Sequence, residues 1–115
     1  MHEGGLTIYK GESFALALEC LKLEETPVDL TGCTIRSHIR ATPKGPLVCD
    51  LAPTITDAEA GKVAIHLSPQ RTHALAAGEY VWDVLAQYPN GEVVHIVPTE
   101  PITVEGRATK FNQPL

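Results

Sequence analysis

Basic charge is scarce in this sequence: nine Lys and Arg stand against fourteen Asp and Glu, leaving a net charge of −5. A surface that grips a phosphate backbone needs a basic stripe, so nucleic acid is not expected as a partner. Aromatic residues are scarcer still, at 5%, with one Trp, three Tyr and two Phe. The core must then rest on Val, Ile, Leu and Ala, with Trp82 as its largest piece, which favours thin β layers over a wide cavity. The three cysteines, Cys20, Cys33 and Cys49, are odd in number and lack a CxxC spacing. Neither a disulfide framework nor a zinc site is expected, and the thiols read as reduced, partly buried small hydrophobes. No apolar run approaches the roughly 20 residues that span a bilayer. The segment from Met1 to Gly5 has neither the basic nor the apolar region of a secretion signal. A soluble chain without a Sec signal and without a membrane partner is predicted.

What is present is ordinary for a globular domain: 115 residues, 43% apolar and 20% charged, enough to bury one core. Period-two alternation dominates. Phe14, Leu16, Leu18 and Cys20 alternate with Ser13, Ala15, Ala17 and Glu19, the pattern of a half-buried strand. In the segment from Cys33 to Ala41, Cys33, Ile35, Ser37 and Ile39 take one face and Thr34, Arg36, His38 and Arg40 the other. Val63, Ile65 and Leu67 alternate with Lys62, Ala64 and His66, and Tyr80, Trp82, Val84, Ala86 and Tyr88 with Glu79, Val81, Asp83, Leu85 and Gln87. Shorter strands are predicted at Leu6 to Tyr9, Leu47 to Leu51, Glu92 to Val97 and Ile102 to Glu105.

Turn chemistry separates these runs. Thr42, Pro43, Lys44, Gly45 and Pro46 cannot continue a ladder. Pro53 to Ala60 reads as a connection containing the short run Thr54, Ile55, Thr56. Pro89, Asn90 and Gly91 supply a tight hairpin, and Glu24 to Pro27 a polar tip that reads as a hairpin connection. Ser68 followed by Pro69 starts a helix of one or two turns, with Ser as N-cap and Pro at the first helical position. The total is an all-β domain over residues 1–106, an immunoglobulin-like two-sheet β-sandwich of about seven to eight strands with one short helical turn. Residues 107–115 follow as a polar C-terminal tail.

Leu75, Gly78 and Tyr80 resemble the tyrosine corner of immunoglobulin-like domains, in which the Tyr hydroxyl bonds to nearby backbone. Lys10-Gly11-Glu12-Ser13-Phe14, then Thr26-Pro27-Val28-Asp29-Leu30-Thr31-Gly32, then Ala76-Ala77-Gly78-Glu79-Tyr80 resemble the immunoglobulin-like domain of bacteriophage tail and baseplate proteins, notably the amino-terminal domain of the upper baseplate protein family. The likeness spans roughly residues 6 to 105. It implies a virion structural protein, an assembly or docking module of tail, baseplate, neck or capsid surface, whose partners are other virion proteins in multiple symmetric copies.

The chain has no glycine-rich phosphate loop, no Gly-x-Ser-x-Gly elbow and no His-Glu-x-x-His. His66 and His95 could lie on neighbouring strand faces, but two imidazoles without a third ligand make a poor metal site, and solvated surface histidines are the simpler reading. Cys49 with Asp50, or Cys20 with His38, lacks a group to orient a base. No enzyme activity, cofactor, metal or small-molecule substrate is expected. Protein contacts are expected instead at Arg36 and Arg40, which share an outward face, and at Val81 and Leu85, which make their strand apolar on both sides. Val93 and Val94 add to that impression. Phe111 and Leu115, apolar residues in a polar tail, complete the set as anchors. A carbohydrate-binding or host-adhesion module is the alternative; it needs exposed aromatics, for which Tyr9 and Tyr88 are the candidates.

Overall fold

The computed structural model describes residues 5–20 and 27–108. Its elements are β1 (Leu6–Tyr9), β2 (Phe14–Glu19), β3 (Thr34–Arg40), β4 (Leu47–Asp50), β5 (Thr54–Asp57), β6 (Lys62–Leu67), α1 (Pro69–His73), β7 (Gly78–Gln87) and β8 (Val93–Glu105). A five-stranded sheet has the order β1-β8-β7-β3-β4 and a three-stranded sheet the order β2-β6-β5. All ladders are antiparallel except β1 against β8, which is parallel with Leu6 opposite Ile102 and Tyr9 opposite Glu105. This is an immunoglobulin-like β-sandwich.

The alternation read from the sequence decides which side chains face the other sheet. Ile39, Trp82, Val84, Ala86, Ile102 and Val104 from the larger sheet meet Val63, Ile65 and Leu67 from the smaller one, all buried. Burying one such aliphatic side chain contributes about 1.5–3 kcal/mol. Ser37 is the polar exception on the inner face, and its hydroxyl donates to the Asp83 carbonyl at 2.7 Å.

The connections show why the turn motifs have their residue types. Lys10-Gly11-Glu12 wraps the end of the sandwich below α1: the Gly11 N–H donates to Thr72 Oγ1 at 3.0 Å, that hydroxyl donates to the Glu12 carbonyl at 2.8 Å, and Lys10 Nζ donates to the Leu75 carbonyl. Gly11 sits at φ +82°, and a Cβ there would come within 2.6 Å of the Arg107 guanidinium. In α1 the Ser68 hydroxyl accepts from Arg71 N–H at 3.3 Å, and Pro69 opens the helix, as its sequence predicts. The Tyr80 hydroxyl donates to the Ala76 carbonyl at 2.7 Å, which is the tyrosine corner.

Three expectations need correction. β2 and β3 are not hairpin partners, because they lie in different sheets; the polar tip from Glu24 to Thr26 lies outside the described residues. Buried Leu30 anchors this crossover, its N–H donating to the Ala58 carbonyl at 2.8 Å, while Asp29 closes the turn on Thr31. The Thr54 run is a full strand, β5, paired to β6. The segments before Pro98 and after Pro101 form one strand of 13 residues. Two register shifts against β7 carry extra residues on β8, and such bulges admit prolines that a regular ladder excludes.

A candidate docking face on the five-stranded sheet

The β3–β7 register sets Arg36 opposite Leu85, His38 opposite Asp83 and Arg40 opposite Val81. All three pairs lie on the outer face, since the intervening pairs Ile39–Trp82 and Ser37–Val84 face the core. The four contact residues predicted within the described part of the chain therefore sit side by side. Val81 and Leu85 are half-buried and Arg36 is exposed. Arg40 is partly committed already: one guanidinium nitrogen donates to the Gly45 carbonyl at 2.8 Å and holds the turn that follows β3. Phe111 and Leu115 lie outside the described residues.

Two shallow depressions flank Leu85. One, about 200 Å³, lies between Thr34, Arg36, Gln87 and Val93; Val93 is 54% exposed beside it. The other, about 190 Å³, is bordered by His38, Arg40, Val81 and Thr99. Between them Asp83 accepts from Thr99 Oγ1 at 3.3 Å and contacts His95 Nε2 at 3.0 Å. The face thus combines apolar patches with a cationic margin and an internally satisfied carboxylate, the composition of a contact surface. Val94 does not join it: its neighbours are Leu18, Val28 and Tyr88, on the side of the sandwich opening.

The chemical pairings considered from sequence fall apart in space. His66 lies on β6 of the smaller sheet, exposed and paired opposite Ala15, whereas His95 lies on β8 of the larger one. They do not share neighbouring strands. Among the described residues no group of three His, Cys, Asp or Glu is arranged to hold a metal. Cys20 follows β2, in the smaller sheet, and His38 is on β3 of the larger. Cys49 is buried; burial pushes its thiol above the ordinary value, against the pull of the neighbouring Arg71, whose guanidinium lies 3.6 Å from the sulfur and donates to the Asp50 carbonyl at 2.7 Å. That arrangement ties α1 to β4 and holds the sulfur as a thiol, the opposite of nucleophile activation. Tyr9 is 43% exposed, Tyr88 is half-buried, and they lie at opposite ends of β8, since Tyr9 faces Glu105 while Gln87 faces Val93. They do not make one stacking platform.

The edge strand β4 went unremarked as a surface in the sequence reading. Leu47 is 49% and Val48 37% exposed there. Its signal was present: two adjacent large apolar residues after a proline, in a run too short to alternate.

No protein-family model matches the sequence, and no curated protein matches it. The fold has likenesses among solved structures. CopC from Methylosinus trichosporium OB3b is 14% identical, with a TM-score of 0.50, and the match covers 93% of this chain and 91% of that one. A candidate glycoside hydrolase from Bacteroides vulgatus ATCC 8482 is 10% identical, with a TM-score of 0.49; 90% of this chain is covered, but it spans only 17% of that one. Murine CRIg is 13% identical with a TM-score of 0.41, covering 89% and 91%. At these identities the likeness is one of fold.

Proposed function

We propose that this domain is a virion structural module of a bacteriophage, docking into the tail, baseplate, neck or capsid surface through the outer face of its five-stranded sheet. The observation that carries the docking reading is the gathering of Arg36, Arg40, Val81 and Leu85 on that one face, in cross-strand pairs. The phage setting rests on the likeness of its turn and core motifs to baseplate immunoglobulin-like domains. Its residence is then the particle, assembled in the host cytoplasm, and its partners are other virion proteins present in symmetric copies. Contact works by burial of complementary surface: Val81, Leu85 and Val93 supply apolar area, and Arg36 reaches an acidic group on the partner.

The test is incorporation. Particles purified from a host that carries the gene within its phage genome are examined by mass spectrometry and by immunogold labelling against this chain. Stoichiometric presence at one location supports the reading, and absence from intact particles overturns it. A Val81→Glu, Leu85→Glu double variant that keeps its thermal transition is expected to drop out of the particle.

A further inference from the structure

The charges on the outer face of the five-stranded sheet form a cross. His38 stands at its centre, with Arg36 and Arg40 on either side along β3, each roughly 6.8 Å away at 3.4 Å per residue. Across the strands His38 lies opposite Asp83 on β7 and Asp50 on β4, each about 4.8 Å away. The cations therefore lie along the strand and the carboxylates at right angles to it. Three corners of the cross are apolar: Leu85 beside Arg36, and Val81 and Leu47 on either side of Arg40. β4 ends at Asp50, which leaves the fourth corner without a strand residue. Each charged group keeps polar atoms for a partner. Arg36 has no ion pair or hydrogen bond among the described residues, and Arg40 gives one nitrogen to the Gly45 carbonyl. Asp50 uses Oδ1 to accept from the Ala52 N–H at 2.9 Å, and Asp83 meets both His95 and Thr99 through Oδ2.

We infer that this face binds the same face of a second copy, with the strands of the two sheets crossing near a right angle. Orthogonal crossing is one of the two ways in which sheets pack. A quarter-turn lays the arginine arm of one copy over the carboxylate arm of the other. With the two-fold axis in the plane of contact, running from His38 towards Val81, Arg36 falls over Asp50 of the second copy and Arg40 over Asp83 of the second copy, and the reverse. The arms differ by roughly 2 Å in length, a mismatch that long arginine side chains absorb. The same operation joins the apolar corners: Leu85 meets Leu47 of the second copy, Leu47 meets Leu85, Val81 meets Val81, and the two His38 rings meet at the centre. An axis through Leu85 instead also opposes the charges, pairing Arg36 with Asp83, but strands Val81 over the empty corner. The apolar corners therefore select the first arrangement. A two-fold contact of this kind closes at two copies. The patch covers roughly 14 Å by 15 Å, less than a standard interface, so the dimer is a weak one.

This inference rests on the docking reading of the same face and names its partner, but its test needs no particles. Light scattering of the full chain from about 10 µM to about 1 mM, a range that spans weak contacts, is expected to show the mass rising from one chain to two and stopping there. Arg36→Asp and Asp50→Arg each set like charges against one another, and each variant, with its thermal transition retained, is expected to keep the mass of one chain where the wild type is dimeric. Mixed in equal amounts they are expected to recover the dimer, because Asp at position 36 of one copy then faces Arg at position 50 of the other, and the remaining Arg36 faces the remaining Asp50. The alternative axis predicts no such rescue, since it never brings positions 36 and 50 together. A wild-type monomer, a mass that grows beyond two chains, single variants that associate like the wild type, or a mixture that stays monomeric overturns the inference. A monomeric wild type that is nonetheless lost from particles on Val81→Glu, Leu85→Glu substitution would overturn it while leaving the docking reading intact; a dimer with charge-swap rescue in a chain missing from particles would do the opposite.

Discussion

Replacing Thr72 by Val keeps the shape of a fully buried side chain and removes one hydroxyl. That hydroxyl accepts from the Gly11 N–H and donates to the Glu12 carbonyl, with the Pro69 carbonyl also within 3.1 Å. Each bond of this kind contributes about 1 kcal/mol net, and a buried donor left without a partner costs a further 1–2 kcal/mol or so. Glu12 is exposed and its carbonyl can turn to water, but Gly11 is half-buried under α1, so its amide bears most of the penalty. The expected loss is about 2–3 kcal/mol. Thr72→Ser, which keeps the hydroxyl and gives up a methyl, is expected to lose about 1 kcal/mol. Urea titration measures both, with the slope unchanged and the midpoint lowered; in heat the transition should fall by about 4 °C per kcal/mol for a domain of this size. If Thr72→Val costs no more than Thr72→Ser, the hydroxyl does not hold the Lys10-Gly11-Glu12 turn and the argument fails.

Tyr80→Phe removes the bond to the Ala76 carbonyl and should cost about 1 kcal/mol; an unchanged urea midpoint would mean that the corner is held by packing alone. Ala52 lies at φ 45°, a left-handed conformation that costs an L residue roughly 1–2 kcal/mol, so Ala52→Gly should stabilise by about 0.5–1 kcal/mol after the greater freedom of unfolded glycine is subtracted; a lower midpoint would refute this. Burial raises the Cys49 thiol above 9.0. Above that pH the unfolded chain releases protons that the native state retains, and stability should fall as pH rises. Comparing wild type with Cys49→Ala at about pH 8 and about pH 10 checks the sign, since the variant should lose less over that interval, and equal losses would remove Cys49 as a source of the slope.

The larger part of the fold was legible because it is local. Period-two alternation in β2, β3, β6 and β7 assigns each side chain a face, and four of the predicted contact residues come together because they obey that period on strands that pair. What escaped depends on partners distant in sequence. Nothing in Leu6 to Tyr9 says that it runs parallel to a strand about a hundred residues on. Prolines at 98 and 101 mark a break in any regular ladder, and only the bulges opposite β7 turn that break into a continuous strand. His66 and His95 have the same local pattern, yet strand order sends them to different sheets.

The parallel pairing of β1 with β8 has a mechanical consequence. Pull on residues 6 and 105 and the two strands are drawn lengthwise past one another, so the bonds between them carry the load together. Pull on Gly78 and Glu105, near the open end of the antiparallel β7–β8 ladder, and the bonds part in succession. In single-molecule extension the first geometry should yield at clearly higher force, and equal forces would show that β1 bears no load. A part placed in line between two others would then be stiffest along the direction in which they tug on it.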